Sequence, residues 1–385
     1  MSPSAENQFP VIPPPTHKIT RKRQLAYAAL IYLVFLLLLL AVEVGTRLAL
    51  QHVSSLDLFV FTPQQKAQVA DAKQSTIFEG DPLLLWRLKP NLDHVIWDFT
   101  VLSTNAQHLR SDRALQNKQP GTVRIVCLGD SVTFGYRVPT VWVERPNDYD
   151  RQALPYPMLL EKELRAANSN KQIEVITMAV PGYTSHQGLA WLRRDIDQLK
   201  PDLLTISFGW NDASLSDVPD REAIKTNWRA IAVRWLVDQS QAFAHATEWL
   251  RSRNQRNPIV GVRPVARVSE QEYIDNMLGI TRLAYAKNIG VIVIAAPYRD
   301  RVTNVPEAEA MMRYRKALRL ATEQQHVPFL EIRELTEAAY PANEGWFGEL
   351  IHPNHMGHRL MTSELLKLLA QTRALGDLNI PTLTP

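Results

Sequence analysis

Ser131 follows Gly129 and Asp130 at the head of Gly-Asp-Ser-Val-Thr-Phe-Gly, residues 129 to 135. A serine hydroxyl becomes a nucleophile when a base stands beside it and donors await the charge that develops on the attacked carbonyl. Further along the chain, three stretches carry groups of those kinds. Gly182, in Ala-Val-Pro-Gly-Tyr (179–183), offers a bare backbone N–H that can approach a ligand closely. Asn211, in Gly-Trp-Asn-Asp (209–212), offers a side-chain amide. His352, in Glu-Leu-Ile-His-Pro-Asn (349–354), offers an imidazole three residues after the carboxylate of Glu349. Acyl transfer needs all of these parts. Ser131 is the candidate nucleophile, His352 the general base and then acid, and Glu349 the group that holds the imidazole in one tautomer. The N–H groups of Ser131 and Gly182, with the Asn211 amide, are the candidate oxyanion donors.

Each part also has a plainer reading. Gly-Asp-Ser after a strand commonly turns the chain and caps the next helix. An asparagine at a strand end commonly bonds its neighbouring backbone, and a glycine commonly just turns the chain. Asp130 and Asp212 are read as braces for their turns and not as catalytic acids. His352, His355 and His358 recur every third residue, but a zinc site needs a second ligand set at a defined spacing and no cysteine or His-Glu cluster supplies one. No metal and no cofactor is expected, and His355 and His358 are assigned to the first turn and the packing of the last helix. Trp210 is either a core plug or a substrate platform. What favours the chemical reading is the joint appearance of the four stretches in order.

The elements that must position these groups follow from the apolar pattern. Val123–Leu128, Ile173–Met178, Leu203–Phe208, Val291–Ala295 and the shorter Pro328–Ile332 are apolar runs of strand length. Between them lie helical stripes at Tyr156–Ala167, Ser185–Leu199, 221–256, 269–287 and Ala308–Gln325, and a last helix runs from about His355 to Leu375. Strand and helix in alternation predict a parallel sheet covered on both faces, a three-layer α/β/α domain. The carboxyl ends of parallel strands share one edge, where such sheets bind their ligands. Ser131, Gly182 and Asn211 each follow a strand.

These four stretches, in this order, resemble the sequence blocks of the SGNH/GDSL hydrolase superfamily, named for its Ser, Gly, Asn and His. The resemblance covers residues 123 to 373 and extends to context: Leu199-Lys-Pro-Asp202 before the third strand, and Gly357-His358 after His352-Pro-Asn354. The stretch Leu83 to Arg110, with Trp86-Arg-Leu-Lys-Pro-Asn91 and Thr104-Asn105, is similar to the lead-in of membrane-anchored bacterial members. The resemblance implies a flavodoxin-like fold and metal-free ester hydrolysis or acyl transfer. The family usually has Asp where this chain has Glu349. The longer side chain either completes the triad or points away, leaving a Ser-His pair supported by a backbone carbonyl. The leading reading is a serine esterase acting on O-acetylated glycans or on lipid esters such as lysophospholipids. An O-acyltransferase shares its chemistry until the acyl-enzyme meets an alcohol in place of water. A catalytically silent envelope-assembly or glycan-binding protein is a third reading, and the complete residue set counts against it.

Composition sets the surroundings. The 385 residues carry 43 basic and 39 acidic side chains, a net charge of +4. The basic residues are scattered, which argues against a nucleic-acid partner. A single cysteine, Cys127, lies within the first strand and reads as core. The proline-rich segment 1–23 reads as a disordered cytoplasmic tail. The uncharged run Leu25–Val42 is about eighteen residues, the length a bilayer span needs, so 24–45 reads as a transmembrane signal anchor. Lys18, Arg21, Lys22 and Arg23 precede the run against Arg47 after it, which places the amino terminus in the cytoplasm and the remainder outside. Residues 46–119 read as a connector and small β-rich lead-in, with strands at Leu83–Leu88 and Val95–Leu102. The hydrolase-like domain spans 120–375, and 376–385 is a tail.

Two stretches exceed a minimal core. Pro139–Ala153 is a polar loop with Glu144, Arg145, Asp148, Asp150 and Arg151. The helical insertion, about 213–268, carries Trp228, Trp235 and Trp249 among several arginines. It has three readings: by default a packed insertion, otherwise a lid over an acyl pocket or an interfacial surface that keeps the site near the bilayer. The expected partners are an ester substrate, glycan or lipid, and the membrane through the first helix. The sequence does not give the oligomeric state.

Overall fold

The structure, a computed structural model, describes residues 20–55, 58, 77–140, 152–225, 227–254, 264–298, 306–332, 344–348 and 351–384. The polar loop from Glu144 to Arg151, and Glu349, lie outside the described residues.

In chain order the elements begin with α1 (Arg21–Ala49), followed by two short hairpins, β1 (Phe78–Asp81) with β2 (Leu85–Leu88) and β3 (Val95–Trp97) with β4 (Thr100–Leu102). Then come β5 (Val123–Gly129), α2 (Ser131–Phe134), α3 (Tyr156–Ala167), β6 (Ile173–Ala179), α4 (Ser185–Leu199), β7 (Leu203–Ser207) and α5 (Trp210–Ala213). The insertion holds β8 (Leu215–Ser216), α6 (Asp220–Ala223), α7 (Trp228–Gln239), α8 (Gln241–Asn254) and β9 (Val265–Ala266). The chain closes with α9 (Glu270–Tyr285), β10 (Gly290–Ile294), α10 (Pro306–Gln324), β11 (Phe329–Leu330) and α11 (His355–Thr372).

The main sheet has five strands in the order β11-β10-β7-β5-β6, all parallel. Alternation along each strand decides which helices cover it. Val126 and Leu128 of β5, with Val291 and Val293 of β10, join a core under α4, α9 and α10. Ile125 and Cys127 of β5, with Ile292 and Ile294 of β10, point to the opposite face, under α3 and α11. This is the expected three-layer α/β/α arrangement. Cys127 is fully buried, and its thiol is pushed up to about 12 by burial. The Lys-Pro-Asp motif acts at the other end of the sheet. The Asp202 N–H donates to Arg124 O at 2.8 Å while its carboxylate accepts from Arg124 N at 2.7 Å, locking the starts of β5 and β7 together.

α1 is 29 residues long, about 43 Å at 1.5 Å per residue, and none of its most apolar window is buried. It is long and apolar enough to cross a membrane.

The lead-in is not a separate body. Ile77, Leu84, Leu88, Leu102 and Leu109 share one core with Val126 and Leu128. Two details depart from the sequence reading. Val95–Leu102 is a hairpin and not one strand, because Asp98 and Phe99 both take positive φ (42° and 61°) in a two-residue turn. The helical pattern at 221–256 divides into α6, α7 and α8, and β8 and β9 pair antiparallel where the insertion leaves and rejoins the domain.

Candidate active site

β5 delivers Ser131 to the carboxyl edge of the sheet between two neighbours, β6 and β7, whose following loops carry Gly182 and Asn211. The turn is tight. A Cβ on Gly129 would stand 2.1 Å from Thr133 Oγ1 and 2.8 Å from Ser207 O, so only glycine lets the strand pass into the helix there. Asp130 caps α2: its carboxylate accepts from the Val132 N–H at 2.9 Å, a cap worth about 1 kcal/mol. Its other oxygen faces Asn211 Nδ2 at 3.4 Å, and burial pushes the carboxyl up to about 6. Asp130 is thus a brace, as read from the sequence.

His352 precedes α11, and its Nε2 stands 2.7 Å from Ser131 Oγ. The Tyr136 ring, just past α2, lies against the imidazole with centroids 4.5 Å apart. Asn211, in the first turn of α5, donates Nδ2–H to Tyr183 O at 3.0 Å and faces Asp130, so its amide ties the loops after β5 and β6 together. Gly182 has φ of +84°, a conformation that favours glycine. Its carbonyl accepts from Arg267 at 2.8 Å, which fixes the peptide plane on that side. Ser131, Gly182, Asn211 and His352 all remain partly open to solvent.

Asp212 is fully buried and binds Ser185, accepting from its N–H at 2.9 Å and from its hydroxyl at 2.5 Å. Burial pushes this carboxyl up to about 8. The folded protein therefore keeps a proton that an unfolded aspartate, with a pKa of about 4, has lost, so this group's contribution to stability falls as pH rises from about 4 to about 8. His358 works in the opposite sense. It is fully buried, accepts the Tyr156 N–H at 3.2 Å and is pushed down to about 3 by burial, so its contribution rises as pH climbs from about 3 to about 6.5. Asp212→Asn isolates the first effect. The melting-temperature advantage of wild type over this variant is expected to shrink from pH 5 to pH 8, and a constant difference would show that the carboxyl is ionised throughout.

Sequence reasoning missed several supports. Arg110, buried in the lead-in, binds the carbonyls of Phe134, Gly135 (2.8 Å), Val101 (3.1 Å) and Val138 (2.5 Å) and lies over the Phe134 ring. It therefore ties the lead-in to the turn that carries Ser131. Trp86 donates from its indole to Pro181 O at 3.3 Å and packs edge-on against Tyr183, bracing the Gly182 loop. A tryptophan and an arginine in a predicted β-rich lead-in are a signal, but their targets are distant in sequence. Trp210 is buried and donates to Pro297 O at 3.0 Å, the core plug of the two readings. His355 is exposed at the start of α11. A cavity of about 1050 Å³ is lined by Gly182 and Trp86 together with Arg229, Arg234, Arg251 and Arg267.

An open parallel α/β sheet with a serine at the end of a central strand, in contact with a histidine from a distant segment, is the arrangement of an α/β serine hydrolase. Residues 127–360, more than half of the chain, match the model of the GDSL-like Lipase/Acylhydrolase family. The chain belongs to this family and is an ester hydrolase of the SGNH/GDSL type.

Similar solved structures include a lipase/acylhydrolase from Enterococcus faecalis, 18% identical over 65% of this chain and 96% of that one, with a TM-score of 0.42. A catalytic mutant of Axe2, an acetylxylan esterase from Geobacillus stearothermophilus, is 18% identical over 64% of this chain and 94% of that one, with a TM-score of 0.41. A GDSL-like lipase from Bacteroides thetaiotaomicron is 15% identical over 67% of this chain and 93% of that one, with a TM-score of 0.40. No curated protein matches the chain.

Proposed function

We propose that the protein is a membrane-anchored serine esterase that cleaves carboxylic esters, O-acetyl groups of glycans or acyl groups of lipids, on the outer side of the membrane that α1 crosses. The observation that carries the reading is the 2.7 Å contact between Ser131 Oγ and His352 Nε2. In a neutral imidazole with its proton on Nδ1, Nε2 takes the hydroxyl proton as Oγ attacks the ester carbonyl. The C–O bond to the leaving alcohol then breaks, and the imidazolium returns that proton to the alcohol oxygen. A water molecule, deprotonated by the same nitrogen, releases the acid and restores Ser131. Glu349 is assigned to hold the Nδ1 proton.

The carbonyl oxygen becomes an oxyanion in both half-reactions. Its proposed donors are the N–H groups of Ser131 and Gly182 and the Asn211 amide, whose N–H on Asp130, at 3.4 Å the longer of its two contacts, is the one that turns to the oxyanion. Among the described residues, neither backbone N–H donates a hydrogen bond, which supports the assignment. Asn211→Ala is expected to lower kcat by about 10²- to 10³-fold with KM nearly unchanged. A variant whose KM rises while kcat holds would place Asn211 in substrate binding instead.

The substrate class is tested with p-nitrophenyl esters of increasing chain length and with O-acetylated oligosaccharide, each with and without a free sugar acceptor. Release of free acid whether or not the acceptor is present supports hydrolysis, whereas acyl sugar as the main product would assign a transferase. For the topology, the excess of Lys and Arg before α1 supports an outward domain. An alkaline phosphatase fused after about residue 60 is expected to be active, and an inactive fusion would reverse the orientation.

A further inference from the structure

The helical insertion is fastened to the end of α1. The Glu43 carboxylate, directly after the apolar run, accepts from Ser240 Oγ at 2.7 Å and from the N–H groups of Gln241 at 2.9 Å and Ala242 at 3.1 Å. It thereby places a negative charge at the amino terminus of α8, where the helix dipole favours one. Arg47, paired with Glu43, donates to Gln239 O at 3.0 Å. The chain leaving α1 continues along the same surface. Gln241 exchanges bonds with Val53 N and O at 2.8 and 3.0 Å, Ser55 binds Asp238, and Val53 and Leu58 bury themselves against Val237 and Ala244. The inner face of the α7–α8 hairpin is thus occupied by the segment that emerges from α1.

The outer faces are apolar and aromatic. On α7, Trp228 and Trp235 are 73% and 52% exposed, two turns apart on the side opposite buried Val237. On α8, Trp249 and Leu250 are 58% and 55% exposed, beyond the buried Gln241 and Ala244 of its first two turns. A guanidinium lies over two of these indoles, Arg229 over Trp228 and Arg253 over Trp249, each 5.4 Å from the ring centroid. Tryptophan with arginine at its edge is the composition that settles at the boundary between headgroups and acyl chains. A soluble surface leaves such large apolar side chains singly scattered and not grouped on adjacent helices.

We propose that the α7–α8 hairpin lies in the headgroup layer of the bilayer that α1 crosses, with Trp228, Trp235, Trp249 and Leu250 in contact with lipid. The inference rests on the reading of α1 as a membrane span. Its particular support is continuity: hydrogen bonds to Glu43 and from Arg47 hold the hairpin at the level where the apolar run ends. The same hairpin lines the cavity that reaches Gly182, so this contact sets the distance of that cavity from the lipid surface.

The test uses the full chain in phospholipid nanodiscs with a fluorophore on single introduced cysteines. The native Cys127 is fully buried and stays unlabelled. Leu36→Cys reports on α1, Trp228→Cys, Trp235→Cys and Trp249→Cys report on the hairpin, and Lys171→Cys, exposed before β6, is the aqueous reference. A lipid with a nitroxide on its headgroup is expected to quench the hairpin labels several-fold more than the Lys171 label, while a nitroxide in the acyl chain quenches the Leu36 label. Hairpin labels that behave like Lys171, with Leu36 in lipid, would overturn this inference and leave the anchor standing. A Leu36 label untouched by either lipid would overturn the anchor and the inference with it. Hairpin labels shielded from water yet unquenched by lipid, with energy transfer between copies, would assign the surface to a second copy of the chain and overturn the proposal.

Discussion

Ser131→Ala is expected to reduce ester turnover by about 10⁴- to 10⁶-fold, leaving the residual rate that binding and the oxyanion donors supply. The loss belongs in kcat, because the removed oxygen is the attacking atom and not a binding group. The fold should tolerate the change. Ser131 is only partly buried, and among the described residues its hydroxyl contacts the side chain of His352 alone, so the stability difference should stay within about 1 kcal/mol. The Asp130 cap on the Val132 N–H and the Arg110 clamp on the Gly135 carbonyl do not involve the hydroxyl. Circular dichroism and melting of the variant therefore separate a lost nucleophile from a lost fold. Activity within tenfold of wild type would remove Ser131 from the chemistry.

His352→Ala is expected to cost about as much as Ser131→Ala, and the double variant little more than either single one, because residues that act as one unit lose their function together. Without the imidazole, Oγ has no proton acceptor. Tyr136 loses the ring it packs against, so His352→Gln, which keeps bulk beside Tyr136, is the companion variant that separates chemistry from packing. Glu349→Ala is expected to retain about 10- to 100-fold more activity than His352→Ala, since an orienting carboxylate contributes less than the base it orients. An equal loss in the two variants would make Glu349 as necessary as the base.

Much of this arrangement is legible in the amino-acid sequence, for physical reasons that differ between elements. β5, β6, β7 and β10 are short, β-branched and buried on both faces, so they stand out as apolar runs. The helices over them keep a stripe that survives averaging, as in Ser185–Leu199, whose bounds match α4. The structure brings Ser131, Gly182, Asn211 and His352 to one edge of the sheet, and they stand out as candidates in sequence because chemistry restricts which residue types can serve at the ends of such elements. The supports are not legible in the same way. Arg110 binds carbonyls more than twenty residues away, and Tyr136 acquires its role only when His352 arrives from the far end of the chain. A bend at Asp98-Phe99 lacks the asparagine-glycine signature that announces a two-residue turn, so β3 and β4 read as one strand. For the insertion the default reading in sequence is a packed one, because the exposure that favours another is a property of the folded chain.

Covalent capture shows whether Ser131 is an activated nucleophile in this fold. The full-length protein, solubilised in mild detergent, is treated with a fluorophosphonate, and its intact mass and proteolytic peptides are measured. One stoichiometric adduct is expected, carried by the peptide that contains Ser131, formed slowly or not at all in folded His352→Ala and absent in Ser131→Ala. A folded wild-type protein that takes up no adduct, or one whose adduct persists in Ser131→Ala, would contradict it.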